Sequence, residues 1–138
     1  MIQNLTRKHT GFTLVELLVV IAIIGLLSTI VLVSFGPVRN QAKDTAIKAN
    51  ISQMRLAAEI QYNSASSYAA TGSRADYISA LAAVESANGT GSVVDEFSAS
   101  AYCIQSPLAT SGNWCVDSTG YIGTTAVCDA GTLDCAAE

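Results

Sequence analysis

The chain has 138 residues, is 50% hydrophobic and only 13% charged, and carries a formal net charge of −4. That length supports one ordinary domain, and the charged share is about half that of a typical soluble domain. A multidomain enzyme, a cofactor-laden oxidoreductase and a basic nucleic-acid binder are all poor fits.

The chain opens with two bases, Arg7 and Lys8, and no acid before residue 12. Residues 12–35 then form an apolar run of 24 residues with one charge, Glu16. As a helix this run spans ~36 Å, enough to cross a bilayer core of ~30 Å. It is too long for the ~7–15-residue apolar region of a cleaved secretory signal. Bases before the run and none directly after it place the N-terminus on the cytoplasmic side and the rest of the chain outside. Glu16 is the anomaly, since an isolated carboxylate inside a membrane costs a few kcal/mol. Either it snorkels to the interface, or it awaits a positive partner within the membrane. A free α-amino group made by cleavage before residue 12 would be such a partner.

Gly25, Gly36 and Pro37 are the helix-breaking residues of this region. Pro37 has no N–H to give the carbonyl of Val33, so a local break is expected at Gly36-Pro37. Residues 36–63 then read as an amphipathic continuation of the helix. Ile47, Ile51, Met54 and Ala58 recur at spacings of 4, 3 and 4, one apolar stripe suited to core packing. Lys43, Asp44, Lys48, Arg55 and Glu59 fall largely off that stripe.

Residues 64–138 read as a separate head. One base, Arg74, stands there against Asp76, Glu85, Asp95, Glu96, Asp117, Asp129, Asp134 and Glu138. Such an acidic surface disfavours phosphate-backbone binding, so no specific nucleic-acid partner is expected. Residues 64–72 suggest a loop. Ser73-Arg74-Ala75-Asp76 has capping-box spacing before a short helix that stops at Asn88-Gly89. Residues 101–105 and 114–118 suggest a hairpin, and 121–122, with 124–127, a third strand. The expected fold class is α+β: a long N-terminal helix, its first half membrane-spanning, with a small antiparallel β-sheet head.

All four cysteines lie in the head: Cys103, Cys115, Cys128 and Cys135. Their even number in an exported segment points to disulfides. Of three possible pairings, Cys103–Cys115 and Cys128–Cys135 are favoured, because each closes a short local loop. No C-x-x-C pair or zinc spacing occurs, and the one histidine, His9, lies in the basic leader. No metal, cofactor or catalytic constellation is therefore expected. Asp129 and Asp134 lack the dense oxygen ligands of a calcium loop. Asn50-Ile51-Ser52 and Asn88-Gly89-Thr90 match the glycosylation triplet, a pattern of low specificity. Tyr62, Tyr68, Tyr77 and Trp114 suit packing of the head better than an adhesive surface.

The string Lys8-His9-Thr10-Gly11-Phe12-Thr13-Leu14-Val15-Glu16-Leu17 resembles the type III signal sequence of type IV pilins and pseudopilins. The shared pattern is a basic leader, a glycine, a phenylalanine, and a glutamate at the fifth mature position heading an apolar helix. The resemblance implies a leader, residues 1–11, removed between Gly11 and Phe12 by a prepilin peptidase that also N-methylates Phe12. It implies that Glu16 pairs with the Phe12 amine of a neighbouring subunit and so sets axial register in a helical homopolymer. It further implies an assembly ATPase and an inner-membrane platform protein as partners. Residence would be in the cytoplasmic membrane before assembly, then in a surface filament or periplasmic pseudopilus. The implied function is structural, not enzymatic: a subunit of a type IV pilus-like filament. The alternative is a pseudopilin of a type II secretion or DNA-uptake machine, and a less favoured reading is a non-polymerising anchored binding protein. The resemblance also implies that the tail bounded by Cys128 and Cys135 corresponds to the family's disulfide-bounded C-terminal region.

Overall fold

A computed structural model describes residues 11–124 and 126–137. The basic leader positions Arg7, Lys8 and His9 lie outside the described residues. The chain divides into two compact units at the Gly36–Pro37 bond. Helix α1, Leu14–Ala65, runs from the first unit into the second. A 3-10 turn, Thr71–Ser73, and helix α2, Ala75–Asn88, follow. Then come strands β1 (Val94–Phe97), β2 (Tyr102–Pro107), β3 (Asn113–Asp117) and β4 (Ile122–Thr124). These four form one antiparallel sheet in the order β1-β2-β3-β4. Strands β5 (Ala126–Cys128) and β6 (Cys135–Ala137) pair antiparallel as a second, smaller sheet. The class is α+β, with a pilin-like order of elements.

The expected helix break does not occur. Gly25, Gly36 and Pro37 all lie inside α1. Pro37 removes one ladder hydrogen bond, at a cost of ~3 kcal/mol against alanine. That local loss does not end the helix, whose later turns are pinned by tertiary packing of Ile47, Ile51, Met54 and Ala58. The loop expected from residue 64 begins later, since α1 continues to Ala65 and ends with Ser66 at φ 50°.

The helical stripe of the second unit is the centre of the core. Ile47, Ile51, Met54 and Ala58 are all fully buried. They cluster with Tyr77, Ala80 and Val84 of α2 and with Tyr102, Ile104 and Val116 of the sheet. Alternate residues of a strand point to opposite faces. Tyr102 and Ile104 therefore meet the helices, while Cys103 turns the other way, toward β5 and β6. The four-stranded sheet is thus the middle layer, which is why β2 is buried on both faces.

That layering corrects the disulfide pairing. The bonds are Cys103–Cys128 and Cys115–Cys135, not Cys103–Cys115 and Cys128–Cys135. In the β2–β3 register Cys103 faces Asp117 and Cys115 faces Gln105, so the two cysteines are diagonal neighbours. Diagonal positions lie ~7–8 Å apart, beyond the usual disulfide span of ~4.4–6.8 Å. Cys128 and Cys135 face each other across β5–β6, and each bonds to the larger sheet beneath it. Both bonds therefore staple sheet to sheet. They close loops of 25 and 20 residues, each worth about 3 kcal/mol on a chain-entropy estimate. Replacing Cys103 and Cys128 together by serine is expected to cost about that much in urea melts. No lysine or arginine follows Arg74, so trypsin leaves all four cysteines on one peptide. Peptic peptides made in acid should join the Cys103 segment to the Cys128 segment; a Cys103–Cys115 link would refute this pairing.

Two smaller expectations also change. Ser73 does not cap α2; it belongs to the 3-10 turn, and Arg74 holds the N-cap position without a side-chain bond. Asp76 instead accepts both Nε and Nη2 of Arg74, at 2.9 and 2.7 Å, and the Tyr77 N–H. Strand β1 was not expected. It is held at the sheet edge where the Tyr77 hydroxyl donates to Asp95 at 2.6 Å and the Tyr77 ring packs edge-on to Phe97. Burial and the Asp95 charge push the Tyr77 hydroxyl pKa well up. Tyr77→Phe leaves Asp95 without that donor and should cost about 1.5–3 kcal/mol in chemical denaturation. A loss under 0.5 kcal/mol would show the bond to be incidental.

Candidate functional site

The N-terminal end of α1 is built by its own sequence. Residues 11–13 are non-helical and exposed, with Phe12 80% exposed. Thr13 is the residue before the first helical position, Leu14, and Glu16 is the third residue of the helix. Glu16 Oε2 accepts the Thr13 N–H and the Thr13 hydroxyl, each at 2.8 Å. Thr13 Oγ1 accepts the Glu16 N–H at 3.3 Å. This is a reciprocal capping box. Among the described residues, Glu16 therefore has local donors and no ion pair. The Thr13-x-x-Glu16 spacing was the available signal for it.

Beyond the cap, Leu14–Val31 has a mean hydropathy of 2.8, and none of it is buried. The hydroxyls of Ser28 and Thr29 donate back to the carbonyls of Ile24 and Leu26. Such internal bonding hides polar hydrogens from an apolar surrounding. At Gly25 and Gly36 there is open space where a Cβ would stand. The segment is thus a continuous apolar surface with its carboxylate at one end.

The prokaryotic N-terminal methylation motif family matches residues 6–32. The chain is also 36% identical over 98 residues to the type IV wide pilus major component PilA4 of Thermus thermophilus. That match covers 71% of this chain and 72% of the relative. The chain belongs to the type IV pilin family. No solved structure matches it. For this pilin, Gly11, Phe12 and Glu16 all fall within the matched motif.

The head of the pilin carries polar groups that do structural work missed in the sequence. Asp44 is buried, not off the stripe as expected. Its Oδ1 accepts the Ala109 N–H at 2.6 Å, and its Oδ2 the Thr110 hydroxyl, so it clasps the β2–β3 turn from α1. Burial pushes its carboxyl pKa up, but the bonds from Thr110 and Ala109, with the Lys48 charge, hold it below the usual value. Asp117 is buried too. Its Oδ1 accepts the Thr119 N–H at 2.8 Å, the Thr119 hydroxyl at 2.6 Å and the Tyr121 N–H at 3.1 Å. Its Oδ2 accepts the Cys135 N–H at 2.8 Å. Burial again pushes upward, and these bonds outweigh it. One carboxylate thus joins the β3–β4 turn to the smaller sheet.

The aromatic residues pack the head. Tyr68 and Tyr102 both donate to Glu59, at 3.3 and 3.0 Å, and lie edge to face with ring centroids 4.8 Å apart. Tyr62 stacks on Tyr68. The Lys48 ammonium sits 4.7 Å above the centre of the Trp114 ring. Asn88 of the second glycosylation triplet has its amide donating to Ser106 and Pro107, so it serves as a helix-to-strand clamp. Asp129 accepts the N–H groups of Gly131 and Thr132, and Asp134 accepts the Thr132 hydroxyl, which folds the tail loop upon itself.

Proposed function

We propose that this chain is the structural subunit of a type IV pilus, made as a precursor and polymerised through its N-terminal helix. A prepilin peptidase cuts between Gly11 and Phe12 and methylates the new Phe12 amine. Before assembly the subunit sits in the cytoplasmic membrane with its N-terminus inside. An assembly ATPase and an inner-membrane platform protein then drive it into the filament. There Glu16 accepts the Phe12 ammonium of a neighbour, which fixes the axial step between subunits. The role is structural, and no residue is assigned to catalysis.

One observation carries this reading. Leu14–Val31 is an apolar helical surface of which none is buried, headed by Phe12 and Glu16. A lipid bilayer covers such a surface in the subunit, and neighbouring copies cover it in a filament. The relative named as a major component of a wide pilus favours an abundant surface pilus over a short secretion filament.

The test is an intact mass of the protein from filaments sheared off native cells. A mass starting at Phe12, with one added methyl and four fewer hydrogens, is expected. Processed protein found wholly in the membrane fraction would move the assignment to a pseudopilin. Retention of residues 1–11 everywhere would overturn the processing and assembly reading.

A further inference from the structure

The two disulfides stand side by side as one four-sulfur cluster. Four strands deliver it: Cys103 from β2, Cys115 from β3, Cys128 from β5 and Cys135 from β6. Sulfurs that are not bonded to each other are nevertheless close. Cys103 and Cys115 are 3.6 Å apart, Cys103 and Cys135 3.8 Å, and Cys115 and Cys128 3.9 Å. Cys103, Cys115 and Cys128 all lie within 4.8 Å of one another. A tetrahedral zinc ion with Zn–S bonds of ~2.3 Å sets its sulfurs ~3.8 Å apart. Three edges of that tetrahedron are therefore already at the required length. Reduction has to part the two bonded pairs and draw Cys128 and Cys135, the sixth edge, closer together. Cys103 and Cys115 are fully buried on a paired sheet, whereas Cys128 and Cys135 are partly exposed on the smaller one. The larger sheet thus gives a rigid half-site, and the smaller one supplies a cover from which an ion can enter.

We infer that the reduced head is a tetrathiolate site for one Zn2+, held by Cys103, Cys115, Cys128 and Cys135. The chemistry balances in two steps. A reductant of the dithiol class gives two electrons and two protons to each cystine and leaves as a disulfide, freeing four thiols in all. One Zn2+ then binds four thiolates and releases four protons. The ion takes over from the cystines the task of stapling the smaller sheet to the larger one, as metal binding does wherever it is coupled to folding. The inference is independent of polymerisation, since it concerns only the head.

The experiment uses the full chain in detergent, without oxygen, reduced by a water-soluble phosphine. Each cystine, with one phosphine and one water, gives two thiols and one phosphine oxide. Cobalt(II) is then titrated as a coloured probe and displaced by zinc. One Co2+ per chain is expected, with the visible bands of a tetrahedral thiolate site and about four protons released per ion near neutral pH. The oxidised chain and the double variant Cys128→Ser, Cys135→Ser should show neither the bands nor the proton release. Where the head unfolds on reduction, Zn2+ should restore its resistance to protease. A reduced chain without one-to-one tetrahedral uptake, an unfolded one that zinc does not rescue, or a double variant that keeps the bands would each overturn the inference.

Discussion

Replacing Glu16 by Gln is expected to abolish filaments while leaving both the helix start and membrane insertion intact. The two roles open to Glu16 separate cleanly in this variant. Gln serves in a capping box as Glu does, so the reciprocal bonds with Thr13 are kept in kind. What is lost is the charge. On the proposed assembly, that leaves a Phe12 ammonium unpaired in an apolar filament core, at a cost of about 3–5 kcal/mol per subunit contact. Such a loss weakens each addition by about two to three and a half orders of magnitude. Thr13→Val is the complementary variant. It removes the cap, costs about 1 kcal/mol of local helix stability, and should still give filaments. Electron microscopy of sheared material, with fractionation to follow membrane insertion, reads both variants. Normal filaments from the Glu16→Gln chain would mean that Glu16 is only a helix cap.

The features legible in the sequence are those written in local periodicity. The apolar run and the Ile47, Ile51, Met54, Ala58 stripe need only helical geometry to be recognised, and each stripe residue is indeed buried. The β2–β3 hairpin likewise follows from two apolar stretches around a turn containing Gly112, which adopts φ 72°. Long-range choices left no such trace. The cysteine pairing depends on which face of each strand meets the second sheet, and that follows from register rather than from loop length. Asp44 clasps residues 65 and 66 positions away. Its place three residues before Ile47 puts it at the edge of the buried stripe, but its partners there are too distant in sequence to be read. Strand β1 was hidden because Asp95 and Glu96 interrupt its apolar character. Asp95 belongs there only because the buried Tyr77 brings it a hydroxyl. The Thr13–Glu16 box is written in the local spacing Thr13-x-x-Glu16, and its bonds need no residue outside the first helical turn.

Asp117→Asn should destabilise the head by about 3 kcal/mol at neutral pH, and by progressively less as pH falls below ~3.9. At neutral pH both carboxylate oxygens accept N–H groups, from Thr119 and Tyr121 on one side and Cys135 on the other. An asparagine has one acceptor and one NH2 group, so whichever way it turns, a donor faces a donor. Leaving a buried N–H unpaired costs about 1–3 kcal/mol, and the charge assistance of the remaining bonds is lost as well. The pH dependence follows from the lowered pKa of Asp117 in the folded state. Its value in the unfolded chain is ~3.9. Above that pH the carboxylate is ionised in both states, and its full contribution is present. As pH falls through the depressed folded value, the folded state must take up a proton, and the contribution disappears. The protonated oxygen then presents a donor, much as asparagine does. Asp44 has the same sign of shift, so some acid sensitivity persists in the variant. Urea melts of the full chain in detergent, with disulfides intact and Trp114 fluorescence as the signal, measure the gap at each pH. A gap equal at pH 7 and pH 3 would mean that the negative charge of Asp117 contributes nothing and that only its shape is needed to join the two sheets.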